Sequence, residues 1–263
     1  MNTRWNMAFF LFFGLIGAIM LICTVISNVR EEKRPIPALI ASACALTAFM
    51  IICLGLNNPL KILTVLSTPQ KGFSGAIIMQ VVMIAAGMLI FIKSKAGNKA
   101  IPIAAFVISI LSVYALSKQY MITVRPALNT YILTIIFLAL VFQTAWYMYP
   151  VTKKRAVYTA LGLNIFYGVF LLIFTLRMKI IAPPDHVLDF MNVTFGALAP
   201  VYWGAVLCTF IMPLACTIMA LRGKTIPKSL NVVSIAGLFS LCLLINQMPI
   251  IARGINNRIF MDY

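Results

Sequence analysis

The sequence predicts an all-α integral membrane protein, a single domain over residues 1–263 built as a bundle of eight transmembrane helices with both termini outside the cytoplasm. Three observations predict it. Hydrophobic residues make up 62% of the chain and charged residues only 10%, whereas a soluble domain keeps about a quarter of its residues charged. The apolar residues form eight long runs, and the basic residues cluster in short segments between them.

Each run matches the length of about 20 mostly apolar residues that a membrane-spanning helix needs. Lipid offers no hydrogen-bond partners to the backbone, so a spanning segment of this kind must be helical. The first run is longer than the core of about 7–15 residues found in a signal peptide, and we expect it to be retained. The predicted spans are 7–28, 38–56, 74–93, 101–117, 128–149, 157–177, 197–221 and 228–250.

Basic residues set the orientation of the bundle. The loops after the first, third, fifth and seventh spans are short, and each holds three Lys or Arg. The connections on the other side are longer and hold their basic residues more sparsely. Short, uniformly basic loops are typical of the cytoplasmic side, which predicts a multi-pass membrane protein with both ends outside the cytoplasm.

Composition excludes several cofactors and partners. The net charge of +16 resides in loop clusters that set topology, so nucleic-acid binding is not expected. All six cysteines fall inside apolar runs without a CxxC pair, which argues against a zinc site or an iron–sulfur cluster in this chain. His186 is the only histidine and cannot supply the two axial ligands of a bis-His haem.

Within the spans, Pro213 predicts a kink in the seventh helix. Four alanines at helical spacing give the second helix a small face for close packing, namely Ala38, Ala41, Ala45 and Ala48. Interhelical hydrogen bonding is expected for the uncharged polar residues Gln80, Gln143, Asn164, Asn231, Asn246 and Gln247.

The outer connections are where function is expected. Segment 57–73 is interpreted as a short interfacial helix, with a lid over a lipid-soluble substrate as the alternative. Segment 178–196 holds Asp185, His186 and Asp189, which are either proton-relay groups or part of a solvated loop. The tail 251–263 carries two arginines suited to a quinone carbonyl, an anionic lipid or an acidic partner.

Three segments carry a resemblance to a known family. Gly55-Leu56-Asn57-Asn58-Pro59-Leu60-Lys61, Gln119-Tyr120-Met121-Ile122-Thr123-Val124-Arg125-Pro126 and the closing Arg258-Ile259-Phe260 stand in three outer segments. They resemble motifs of the dimethyl sulfoxide reductase anchor subunit family, and the chain is similar to that family in helix number, orientation and length.

The resemblance implies a location in the bacterial cytoplasmic (inner) membrane and a function. Such anchors are non-catalytic membrane subunits that carry no haem and no iron–sulfur cluster. They bind quinol, here menaquinol, near the outer leaflet and pass its electrons to an iron–sulfur subunit with four ferredoxin-like clusters. That partner feeds a molybdopterin catalytic subunit in anaerobic respiration. A secondary transporter and a purely structural anchor are the alternatives.

The resemblance also suggests where the quinol binds. We expect Asn58, Lys61, Arg125 and Arg258 at the headgroup, with His186 and Asp189 as candidates for proton transfer. One position departs from the family pattern: Gly55 stands where the family has a histidine before its Leu-Gly-x-Pro segment. The proton acceptor in this chain is therefore Asp189, His186 or water, or else the quinone or the partner enzyme differs from the family's.

Overall fold

All regular structure in the described part of the chain is helical. The computed structural model describes residues 3–29, 36–55, 73–93, 100–120, 128, 130–149, 154–180, 191, 193–227 and 229–259. Its helices are α1 Thr3–Val29, α2 Ile36–Gly55, α3 Phe73–Lys93, α4 Ala100–Lys118, α5 Tyr131–Tyr147, α6 Lys154–Ile180, α7 Ala199–Val206, α8 Met212–Leu221 and α9 Leu230–Ile259. A π-helical turn, Leu207–Ile211, joins α7 to α8 without a break.

Seven helical segments of the described residues are long and apolar enough to cross a membrane. They correspond to the predicted spans, with α7, the π turn and α8 together forming the segment Ala199–Leu221. The one remaining predicted span, the fifth at 128–149, corresponds to the shorter apolar helix α5, which has 17 residues. The all-helical, multi-pass character predicted from the sequence is confirmed.

The outward surfaces of the helices are apolar, as lipid contact requires. Large hydrophobic side chains lie exposed along most helices, among them Leu54, Ile92, Ile103 and Val232, each at least 65% exposed. A soluble monomer seldom shows a continuous apolar surface of more than a few hundred Å². This surface is therefore suited to a bilayer rather than to water.

The helices form two groups, α1 to α4 and α5 to α9. In the first group α1 packs on α2 and α4, and α3 packs on the same two helices. In the second group α5 packs on α6 and α9, α6 packs on α8, and α9 packs on α7 and the π turn. Helix α1 joins the groups because it also contacts α5 and α9.

Neighbouring helices within a group run in opposite directions. The start of α1 meets the end of α2, where a Cβ on Gly55 would lie 2.8 Å from Asn6 Nδ2. We call this end of the bundle the terminal face, and the other end the opposite face. The turn after α4 and the later part of α9 meet at the terminal face, where the Tyr120 hydroxyl donates to Asn246 Oδ1 at 3.2 Å.

Small residues bring α2 close to its neighbours, as predicted. All four alanines of its small face are buried. Next to them, the Ser42 hydroxyl donates to the Ile84 carbonyl of α3 at 3.0 Å. Close backbone approach of this kind favours helix association in lipid, where burial of apolar surface contributes little.

The π turn coincides with the predicted irregularity at Pro213. Proline has no N–H, so the carbonyl four residues earlier, that of Thr209, loses its ordinary α-helical donor. Gln143 on α5 replaces that donor, with its Nε2 donating to the Thr209 carbonyl oxygen at 2.7 Å. The packing of α5 on the segment Ala199–Leu221 thus keeps a backbone oxygen satisfied inside the bundle.

Gly87 on α3 is expected to tolerate no side chain. A Cβ there would lie 2.2 Å from Ser42 Oγ and 2.6 Å from the Ala38 carbonyl oxygen, so α2 and α3 would have to separate. Gly87→Ala should lower the melting temperature of the purified protein, at a cost of about 1–3 kcal/mol for overpacking.

Gly162 on α6 provides the matched control. A Cβ at this position would meet nothing within 4 Å, and alanine is the better helix former by roughly 0.5–1 kcal/mol. Gly162→Ala should leave the melting temperature unchanged or raise it. Equal destabilisation by both variants would contradict the close α2–α3 packing.

Candidate functional site

Gln80 on α3 is a buried polar side chain whose amide is unpaired within the described residues. Its side chain is fully buried in the first group, yet within the described residues neither Oε1 nor Nε2 has a hydrogen-bond partner. It faces α1 at Gly14, where a Cβ would lie 3.1 Å from Gln80 Nε2. The expected interhelical hydrogen bond of Gln80 is thus not found among the described residues.

Two side chains of α4 and its following turn share this property. Ser112 Oγ and both polar atoms of the Gln119 side chain are buried without a partner in the described part of the chain. Leu116, one turn after Ser112, contacts the same point of α1, since its Cδ1 would lie 2.8 Å from a Cβ on Gly14. We call Gln80, Ser112 and Gln119 the orphan cluster.

The orphan cluster lies in the half of the first group nearer the terminal face. Gln80 is seven residues after the start of α3, which places it about 10 Å along the helix at 1.5 Å per residue. Ser112 is six residues before the end of α4, and Gln119 follows that end directly. All three buried side chains are therefore nearer the terminal face than the opposite face.

Tyr120 links this region to the second group. It is almost fully buried, and its hydroxyl donates to Asn246 on α9. Asn246 is held in turn by its Nδ2, which donates to the Cys242 carbonyl at 2.8 Å. The expected interhelical bonding of Asn246 is confirmed, and it fixes the turn that carries Gln119.

The side chain of Asn6 explains why position 55 has no room for a residue larger than glycine. Its amide is buried against Gly55, and any Cβ at this position would collide with Asn6 Nδ2. The histidine that the resemblance leads one to expect here would need the same space. In this chain an amide from α1, rather than an imidazole from α2, supplies the polar group beside that position.

The described basic residues near the terminal face are few. Lys118 at the end of α4 is exposed. Arg177 near the end of α6 is partly buried, and its guanidinium donates to Thr130 Oγ1 at 2.7 Å. Arg177 thus joins the end of α6 to the residue that caps α5.

The predicted headgroup and proton-transfer residues remain predictions. The backbone of Arg258 is part of α9, but its side chain is not among those that the structure describes. Five others lie wholly outside them, namely Asn58, Lys61, Arg125, His186 and Asp189.

The orphan cluster is neutral and offers both hydrogen-bond donors and acceptors. The two carboxamides each bring an NH₂ donor and a carbonyl acceptor, and the serine hydroxyl can act as either. Such a set suits a ligand that alternates between hydroxyl and carbonyl groups.

No family model and no curated protein sequence matches the chain. The site has to be interpreted from its own chemistry.

The sequence alone points to parts of this site but not to the site as a whole. Gln119 and Tyr120 belong to a segment that carries the resemblance, and Gln80 is expected from the sequence only to form an interhelical hydrogen bond. The available signal was a carboxamide in the middle of an apolar run, which costs free energy in lipid unless it is paired. Asn6 gives no such signal, because it stands near the start of its span.

Proposed function

We propose that this chain is the membrane anchor subunit of a dimethyl sulfoxide reductase-like molybdoenzyme complex and binds quinol, in particular menaquinol, from the terminal side of the bilayer. Quinol oxidation releases two electrons and two protons. The electrons pass to the iron–sulfur partner subunit and from there to the molybdopterin subunit, and the protons leave on the terminal side.

The unpaired carboxamide of Gln80 carries this proposal. Burying an amide in an apolar environment without a hydrogen bond costs roughly 2–7 kcal/mol, and here both ends of the amide lack a partner among the described residues. A quinone carbonyl can accept from Nε2, and a quinol hydroxyl can donate to Oε1. Ser112 and Gln119 supply a second set of such groups in the same half of the bilayer.

The orientation we propose has eight crossings with the terminal face outside. Helix α5, at about 1.5 Å per residue, is about 26 Å long, close to the hydrocarbon thickness of about 30 Å. Exposed basic residues stand at the opposite face, among them Lys154, Arg155, Arg222 and Lys224. Basic short loops favour that face as the cytoplasmic one.

Binding of a fluorescent quinol-analogue inhibitor to the purified chain in lipid nanodiscs tests the function. We expect saturable quenching of its fluorescence, reversed by added menaquinone analogue. Absence of binding to a folded chain would favour a purely structural anchor.

In the assembled complex, Lys61→Ala with Arg258→Ala should slow quinol oxidation, and unchanged turnover would remove these two residues from the site.

Reporter fusions test the orientation separately. Alkaline phosphatase joined after residue 263 should be active, because it folds outside the cytoplasm. A green fluorescent protein inserted in the segment 94–99 should fluoresce, because that segment is placed in the cytoplasm. The reverse pattern would contradict the placement of the quinol site on the outer side.

A further inference from the structure

The interior of the second group is lined with paired polar side chains at successive levels of α6. This distinguishes it from the first group, whose polar groups are fewer and include the orphan cluster. Going from the terminal to the opposite face, the pairs are Arg177 with Thr130, Thr175 with Tyr202, Tyr167 with Thr209, and Asn164 with Thr217. Hydrogen bonds between helices in lipid explain such pairs without any further role.

Hydrogen bonds between helices do not account for four buried oxygen atoms at the middle of this group. Gln143 Oε1, Thr144 Oγ1, Asn164 Oδ1 and Ser234 Oγ have no hydrogen-bond partner within the described residues, and all four side chains are fully buried.

The hydrogen bonds of the two amide nitrogens fix which end of each amide is the oxygen. Gln143 Nε2 bonds the Thr209 carbonyl, and Asn164 Nδ2 bonds the Ala160 carbonyl at 2.9 Å. A carbonyl oxygen only accepts, so each of these amides must turn its nitrogen toward it and its oxygen away. What is missing at both places is therefore a donor.

Three of these oxygens come from different helices and extend from the level of Thr209 toward the opposite face. Gln143 is at the level of Thr209, to which it bonds. Ser234 is one turn from Gly237, where a Cβ would lie 3.1 Å from Thr209 N. Asn164 lies nearer the opposite face, at Thr217, to which its Nδ2 donates at 3.2 Å. Thr217 is eight residues after Thr209, which is about 12 Å along a helix at 1.5 Å per residue.

We propose that water molecules bind among these oxygens at the middle of the second group. Each water would donate to the orphan oxygens and accept from the hydroxyls nearby, which matches the about three hydrogen bonds that a buried water makes. The waters would also join the Tyr167–Thr209 pair to the network of Tyr147, Asn164 and Thr217 on the side of the opposite face. The result is one hydrogen-bonded path through this part of the bilayer.

Radiolytic hydroxyl-radical footprinting of the whole chain in nanodiscs tests the proposal, because radicals formed from bound water label the side chains beside it. We expect prompt labelling of Tyr147 and Tyr167. The fully buried Phe10 and Phe137 serve as dry controls, after correction for the reactivity of each amino acid. Absence of label on both tyrosines in folded protein would overturn the proposal.

Ser234→Ala provides a second, independent measurement. In a dry interior the unpaired hydroxyl is destabilising, and its removal should raise the melting temperature. With water bound, the hydroxyl is already satisfied, so the melting temperature should stay the same or fall. The proposal requires both the tyrosine label and the absence of a stabilising effect in this variant.

Discussion

Gln80→Met is expected to weaken binding of a quinol analogue about tenfold, since it removes one donor and one acceptor worth about 0.5–1.5 kcal/mol each. Methionine keeps the length and unbranched shape of glutamine without its amide. The same variant should leave the ligand-free protein as stable as before or more stable, because the amide has no partner in the described part of the fold. Titration of the inhibitor and a melting curve measure the two effects.

Loss of affinity without loss of stability separates a ligand-binding amide from a structural one. Gln119→Met should behave in the same way, since its amide is also buried and unpaired. If Gln80→Met lowers the melting temperature and leaves inhibitor affinity unchanged, the orphan cluster is not the quinol site. The binding itself, measured on the unaltered chain, would still stand.

Gln143→Met should have the opposite pair of effects, a lower stability and an unchanged inhibitor affinity. Its Nε2 is the donor for the Thr209 carbonyl, and leaving that oxygen unpaired inside the bundle should cost about 1–3 kcal/mol. Inhibitor affinity should not change, because Gln143 lies in the second group, away from the orphan cluster. The melting temperature and the inhibitor titration again measure both effects.

Pro213→Ala tests the reason for that cost. Alanine restores a backbone N–H at position 213, which in an α-helix would bond the Thr209 carbonyl. In this background Gln143→Met should cost little, so the two substitutions should couple by about 0.5–3 kcal/mol in a double-mutant cycle. Additive effects would contradict the assignment of Gln143 as a substitute for the missing proline N–H.

Much of the fold could be predicted from the sequence, because lipid leaves few choices. A long apolar run can only be a helix in a bilayer, and the predicted spans match the observed helices with differences of at most four residues at their ends, except that α9 continues to Ile259 into the predicted tail. The irregularity at Pro213 was predicted as a kink. The structure gives it a more specific form, a π turn in which the buried Thr209 carbonyl accepts a hydrogen bond from a side chain of α5.

The site could not be predicted to the same depth. Gln80 and Gln143 are indistinguishable in the sequence, since each is one carboxamide within an apolar run. Their difference arises from tertiary neighbours. Gln143 faces a carbonyl that proline has left without a donor, whereas Gln80 faces the glycine and the leucine that leave its amide unpaired. Periodicity alone carries no information on which neighbour a buried amide will meet.

The loop residues are a different case. The resemblance predicted Asn58, Lys61, Arg125 and Arg258 at the headgroup, and their side chains lie outside the described residues. They stay predictions. Gly55 shows what the structure adds, because the neighbouring amide of Asn6 occupies the space that a side chain at this position would need.

Photolabelling with an azido-quinone, followed by mass spectrometry of the peptides, tests the central claim most directly. The account predicts label on the peptides of α3 and α4 that contain Gln80, Ser112 and Gln119, and loss of that label when excess menaquinone analogue competes. Label confined to the second group, or label that no competitor removes, would contradict the proposed quinol site.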